Sequence, residues 1–155
     1  MLKLNKLTDY AIVILGHMAR DVGVVRTSQA VSDATMVPLP TVSKLMKLMT
    51  QSGLVTAHRG AKGGYSLDKE AEQVTVAEIV QALEGPIALT ACVDGADDEC
   101  GVESACVMAG NWNRVNQAIH AALDAVTLAE MMDPGDLFPV RDPIKSEERA
   151  AVPAE

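Results

Sequence analysis

Pro38–Leu67, "PLPTVSKLMKLMTQSGLVTAHRGAKGGYSL", decides the fold. A helix begins near Pro40, a residue suited to the first turn, runs through "TVSKLMKLMTQS" and stops at Gly53. Val42, Leu45, Met46 and Met49 recur at helical spacing and are expected to face inward, leaving Thr41, Ser43, Lys44 and Lys47 outside. Two short strand-like pieces follow, "LVTAHR" and "GYSL", around a glycine-rich tip, which reads as a hairpin.

Upstream, Leu4, Leu7, Ala11, Ile14 and Met18 form a helical stripe that Asn5 can cap, with Asp9 near its first turn, where the helix dipole favours an acid. A shorter helix is expected over Ser28–Thr35, capped by Thr27 and broken by "MVPLP". Downstream, Thr75-x-x-Glu78 is a capping box ahead of Val76, Ile79, Val80 and Leu83, and Gly85–Pro86 ends that helix. Trp112, Val115, Ile119, Ala122, Val126 and Ala129 alternate steps of three and four, predicting one long helix, Asn111–Met131, packed on another helix. The tail from Pro134 is rich in proline and charge and is expected to be disordered. The chain therefore divides into a winged helix-turn-helix domain over 1–85, a cysteine loop over 86–110, a long helix over 111–132 and a tail over 133–155. The expected fold class is mainly α with a small β-hairpin.

This order of two helices, a turn, a third helix and a basic hairpin suits DNA. A helix fits the major groove, and its outward side chains reach base edges. Thr27, Ser28, Pro40, Thr41, Ser43, Lys44 and Lys47 are the candidate contacts from the helices; Arg59, Gly60 and Lys62 are those from the wing, where glycine lets the backbone come close to a sugar–phosphate edge. The 155-residue chain carries a net charge of −8, which argues against a polyanion partner until its distribution is read. Residues 1–65 hold eight basic and three acidic side chains, a charge of +5, so the acidity lies in the second half. No apolar run approaches a membrane span, and no secretory leader is read, so the expected location is the cytoplasm without a membrane partner. Nor is there a convergent acid–base or nucleophile set, and an enzyme is not expected.

The second constellation is "ACVDGADDECGVESACVMAG", residues 91–110, which holds all three cysteines, Cys92, Cys100 and Cys106. Their odd number and the expected reducing compartment argue against a disulfide framework. The spacing C-x7-C-x5-C is not that of a zinc knuckle and is looser than ferredoxin runs. Asp94, Asp97, Asp98, Glu99 and Glu103 surround the thiols, and negative charge raises a thiol pKa. A bound metal centre reverses that effect by deprotonating its ligands. The candidates are an iron–sulfur cluster, zinc completed by an acid or histidine (His17, His58 and His120 are all distant in sequence), or three reduced cysteines without metal.

The stretches "LTDYAIVIL", "LPTVSKLMKLMTQSGLV", "RGAKGGYSL", "TVAEIVQALEGPI" and the three-cysteine loop before a long helix together resemble the bacterial iron–sulfur winged-helix transcription repressors of the IscR/NsrR/RirA type. The pattern looks closest to the subgroup that regulates the SUF iron–sulfur assembly operon, and the resemblance covers about residues 1–132. It implies a homodimer on a palindromic double-stranded operator, with the helix over 111–132 as the dimerisation helix and a 4Fe-4S or 2Fe-2S cluster held by Cys92, Cys100 and Cys106. Some members add a histidine three residues after the last cysteine; that position here is Ala109. Others take a carboxylate from the partner's first helix, and Asp9 matches that position. The first cysteine gap is two residues longer than the usual five. The rival readings are an iron–sulfur electron carrier or cluster-delivery protein, which needs no basic recognition helix, and a metal-free thiol-redox repressor.

Overall fold

The computed structural model describes residues 4–96, 101, 106 and 110–132. Cys100, the acids Asp97, Asp98, Glu99 and Glu103, and the tail expected to be disordered lie outside the described residues.

Helix α1 spans Lys6–Met18, with the Asn5 side chain accepting the Leu7 N–H as its cap and Asp9 in its first turn. Ala11, Ile14, Leu15 and Met18 are buried, whereas Leu4, expected in the stripe, precedes the helix and is 41% exposed. Helix α2 is Ser28–Thr35, the Thr27 hydroxyl accepting the Ala30 N–H. Helix α3 is Leu39–Gln51 and buries Val42, Leu45, Met46 and Met49, the four residues whose spacing predicts it. The hairpin pairs β1, Thr56–His58, with β2, Gly64–Ser66, antiparallel in the register Ala57 opposite Tyr65. Arg26 adds a single antiparallel bridge to β2, exchanging backbone hydrogen bonds of 2.8 and 2.9 Å with Tyr65. Helix α4, Val76–Glu84, starts at the Thr75 and Glu78 capping box, whose two reciprocal bonds both form. One core of aliphatic and methionine side chains from α1–α4 and the hairpin holds these elements together. The architecture is mainly helical with a two-stranded antiparallel sheet, a winged helix.

The C-terminal helix corrects the expectation of one continuous element over Asn111–Met131. Helix α5 ends at Asp124, and a separate short helix α6 runs Leu128–Met132. Thr127 restarts it: its hydroxyl accepts the Glu130 N–H at 3.3 Å while the Glu130 carboxylate accepts the Thr127 N–H at 2.7 Å. The break is also held from outside. The Val76 N–H donates to the Val126 carbonyl at 2.9 Å and the Leu128 N–H to the Val74 carbonyl at 2.7 Å, which drives Leu128 into the core. Those two long-range bonds outweigh the heptad-like pattern that favours continuation.

Candidate DNA-binding face and cysteine loop

Burial of one side of α3 leaves the other presented. Ser43, Lys44 and Lys47 are exposed, as their spacing predicts; Pro40 is exposed too, whereas Thr41, also expected outside, is half-buried. On α2, Ser28 is half-buried, and the Thr27 oxygen is engaged as the helix cap. In the wing Arg59, Gly60 and Lys62 are all exposed. Two glycines there have steric causes. A Cβ on Gly64 would stand 2.4 Å from the Arg26 carbonyl oxygen, and one on Gly63 would stand 2.6 Å from that of His58. The close backbone approach of Arg26, β2 and β1 thus demands glycine, and the sequence shows only a tight turn.

A polar network braces the base of the wing. The Ser66 hydroxyl donates to Asp68 Oδ1 at 2.7 Å and lies 2.8 Å from His58 Nε2, and the Thr56 hydroxyl donates to Asp68 Oδ2 at 2.6 Å. The Thr56 and then the Ser66 hydroxyl hold the Asp68 carboxyl below the usual carboxylate range, because they bond its ionised form. Arg26 is paired with Asp21, so this basic residue, absent from the expected contacts, is engaged within the protein.

The cysteine loop is strapped to α5. Asn116, buried, donates from Nδ2 to the Ile87 carbonyl at 2.7 Å and accepts the Leu89 N–H at Oδ1 at 3.1 Å. One turn earlier Asn113 bonds Asp94 twice. Val93 is buried beside these straps. Cys92 and Cys106 are half-buried free thiols, and Cys92 Sγ lies 3.2 Å from the Thr90 hydroxyl. Asp9 is exposed on α1. That turn is tied to the loop's start, since the Glu84 carboxylate at the end of α4 accepts both the Asn5 N–H and the Thr8 hydroxyl. Among the described residues no three metal-ligating side chains converge, and Cys100 is not one of those residues. The asparagine straps escaped the sequence reading; their signal is the spacing of Asn113 and Asn116, three apart and so on one helix face.

Helix α5 buries little in the single chain. Asn116 is its one buried residue, while Trp112 and Val115 on the expected seam are 42% and 44% exposed. No helix among the described residues is long and apolar enough to cross a membrane.

Comparison with known proteins agrees with the winged-helix fold. The profile of the Rrf2 family, described as iron-dependent transcriptional regulator, matches residues 4–134. The protein Rrf2 of Nitratidesulfovibrio vulgaris (strain Hildenborough) is 32% identical over 98 residues, 63% of this chain and 65% of that protein, so the chain spans slightly under two thirds of that relative. Among solved structures, CymR (YrzC), the global cysteine regulator of B. subtilis, superposes with a TM-score of 0.62 at 26% identity, over 86% of this chain and 98% of that one. IscR of T. potens superposes with a TM-score of 0.59 at 24% identity, over 86% and 88%.

Proposed function

Since the chain belongs to the Rrf2 family of transcriptional regulators, which are not enzymes, we propose that it is a homodimeric repressor whose affinity for a palindromic operator depends on an iron–sulfur cluster on the cysteine loop. The proposed targets, iron–sulfur assembly (SUF) or iron-homeostasis genes, rest on the motif resemblance.

The DNA-binding half of this reading is supported by charge and shape. α3 enters the major groove with Pro40, Thr41, Ser43, Lys44 and Lys47 toward the DNA, the start of α2 at Thr27 and Ser28 lies against the backbone, and the tip Arg59–Lys62 follows the adjacent sugar–phosphate edge. The exposed apolar seam of α5 is an unsatisfied surface that a second copy covers, which supports the dimer.

The observation that carries the regulatory half is the double strap of the loop onto α5 by Asn113 and Asn116. The thiol donors suit a cluster: Cys92 and Cys106 are free and half-buried, and Cys100 supplies the third sulfur. When bound, the cluster supplies positive charge that keeps the thiols ionised and a core that oxidants or iron loss dismantle. The chain's own residues do the rest. Asn116 fixes the height of Ile87–Leu89 on α5, Asn113 fixes Asp94, and Glu84 couples the loop's start to the α1 turn bearing Asp9, the proposed fourth ligand for the partner subunit's loop. A change of loop conformation therefore bears directly on the helix that spaces the two recognition helices.

The test is to purify the protein without oxygen, measure iron, acid-labile sulfide and zinc per chain, and compare operator affinity before and after cluster removal at fixed salt. Iron with matching sulfide and a changed affinity are expected. Zinc, no metal, or unchanged affinity would overturn the cluster mechanism and leave the DNA-binding reading standing.

A second reading, a thiol-responsive repressor without metal, is favoured by the half-buried free thiols of Cys92 and Cys106 and by the similarity to a cysteine regulator. Under it Asp9→Ala leaves the visible absorption spectrum unchanged, since there is no chromophore to alter.

A further inference from the structure

The turn before α3 and that helix's first residues expose an apolar surface with no hydrogen-bonding side chain. Residues 36–40 are Met, Val, Pro, Leu and Pro. Val37 is buried, but Met36 is 86% exposed, Leu39 is 37% exposed, and both prolines are exposed. The two hydroxyls just before this stretch are turned inward. Ser32 donates to the Val37 carbonyl and Thr35 to the Val31 carbonyl, each at 2.7 Å. The backbone offers little more: Pro38 and Pro40 have no N–H, and the N–H groups of Thr41 and Val42 both go to the Pro38 carbonyl. Met36 closes α2 in a left-handed conformation, φ 60°, its N–H donating to the Ser32 carbonyl, and this turn leaves its thioether side chain exposed.

We infer that the leading end of α3 reads thymine through its C5-methyl group, with Leu39 as the specificity-determining contact and Pro40 beside it. The inference rests on the reading of α3 as the recognition helix. The two surfaces are chemically complementary. In the major groove every base edge presents donors or acceptors, and thymine adds the one apolar group, its methyl. An apolar side chain pressed on a guanine or cytosine edge dehydrates polar atoms and pairs none of them, which costs binding. Against a thymine methyl the same side chain removes apolar surface from water. The cations lie further along the helix, at Lys44 and Lys47, where they meet phosphate or guanine. Their charge draws the duplex onto this face and brings Leu39 to the groove floor.

The experiment uses the full-length protein and duplexes it recovers from a random-sequence library. Affinity is then compared, at fixed salt, for a recovered duplex and for the same duplex with deoxyuridine in place of thymidine, which removes only the methyl groups. The expected result is thymine enrichment in each half-site and weaker binding of the deoxyuridine duplex by roughly fourfold per contacted methyl. Leu39→Ala should bring that ratio close to one, while Leu39→Met, which keeps an apolar contact, should preserve it. Equal affinity of the unaltered protein for both duplexes, a measurement that needs no variant, overturns the inference; so does an undiminished ratio in a folded Leu39→Ala protein. Sequence-selective binding that ignores the methyls removes this inference alone, whereas recovery of no DNA removes the operator-binding reading with it.

Discussion

Asn113 holds Asp94 by two hydrogen bonds at once: its Nδ2 donates to the Asp94 carboxylate at 2.9 Å, and its Oδ1 accepts the Asp94 N–H at 2.9 Å. An amide is suited to this task because one planar group both donates and accepts. The pair joins the cysteine loop to α5 two residues beyond Cys92.

Asn113→Ala should therefore free the loop locally with a small global cost. The bonds are solvent-exposed, so the expected loss is about 1 kcal/mol in a urea titration. Hydrogen exchange should show the larger effect, with the Asp94 amide losing protection while the α1 and α3 amides keep theirs. Unchanged protection at Asp94 would show that this strap does not hold the loop.

Gly64 and Gly60 should respond differently to the same added methyl. At Gly64 the Cβ would meet the Arg26 carbonyl oxygen at 2.4 Å, so Gly64→Ala must part β2 from Arg26, at a cost of about 3 kcal/mol. Gly60 has open space around it and a φ of +110°, so Gly60→Ala meets only conformational strain, about 1–2 kcal/mol. Urea midpoints of the two variants should separate accordingly. Equal midpoints would mean that the wing yields at Arg26 more readily than its backbone pairing implies.

His17 should make stability fall in mild acid. Burial first, then the nearby Arg26 and Arg20 cations, hold its imidazole below the usual range, with Asp21 opposing. The unfolded chain therefore takes up a proton, from about pH 6.5 downward, that the folded chain resists. The unfolded state binds more protons in that window, so unfolding becomes easier as pH falls through it and levels off below the folded pKa. Comparing urea midpoints of the protein and of His17→Gln between pH 7.5 and 5.5 isolates the effect, and the variant should have the flatter profile. Parallel profiles would assign the acid sensitivity to other groups.

How much of this was legible in the sequence follows from the range of each interaction. The start of α2 is local, set by the Thr27 cap, and that of α4 by Thr75 and Glu78, so both were readable. Thr127-x-x-Glu130 is the same capping signature, yet the apolar seam running through it pointed to a continuous helix. What decides the break is pairing with Val74 and Val76, some fifty residues away in sequence, which leaves no periodic mark. The straps from Asn113 and Asn116 likewise span 19 to 29 residues. The exposed cations of α3 were legible because burial of the opposite helix face follows from spacing alone, and those of the wing because they stand on its glycine-rich tip. The exposure of Leu39 is not legible in that pattern, since an exposed leucine and a core leucine look alike until the turn before it is seen.

Salt dependence should reveal how many of those cations meet phosphate. Lys44, Lys47, Arg59 and Lys62 are exposed in each protomer. If each neutralises one phosphate, a dimer makes eight such contacts, and the logarithm of operator affinity should fall against that of salt concentration with a slope of about −7. Lys62→Ala in both protomers should reduce the steepness by about 2 and weaken binding alike on operator and unrelated duplex, because a phosphate contact carries no sequence information. Lys44→Ala separates two roles for a side chain on the recognition helix: a uniform loss with a shallower slope marks a phosphate contact, and a loss confined to the operator marks a guanine contact. A slope near zero for the unaltered protein would remove the electrostatic basis of the interface, since the remaining candidate contacts, among them Thr41 and Ser43, are uncharged and cannot alone draw a chain of net charge −8 onto a polyanion.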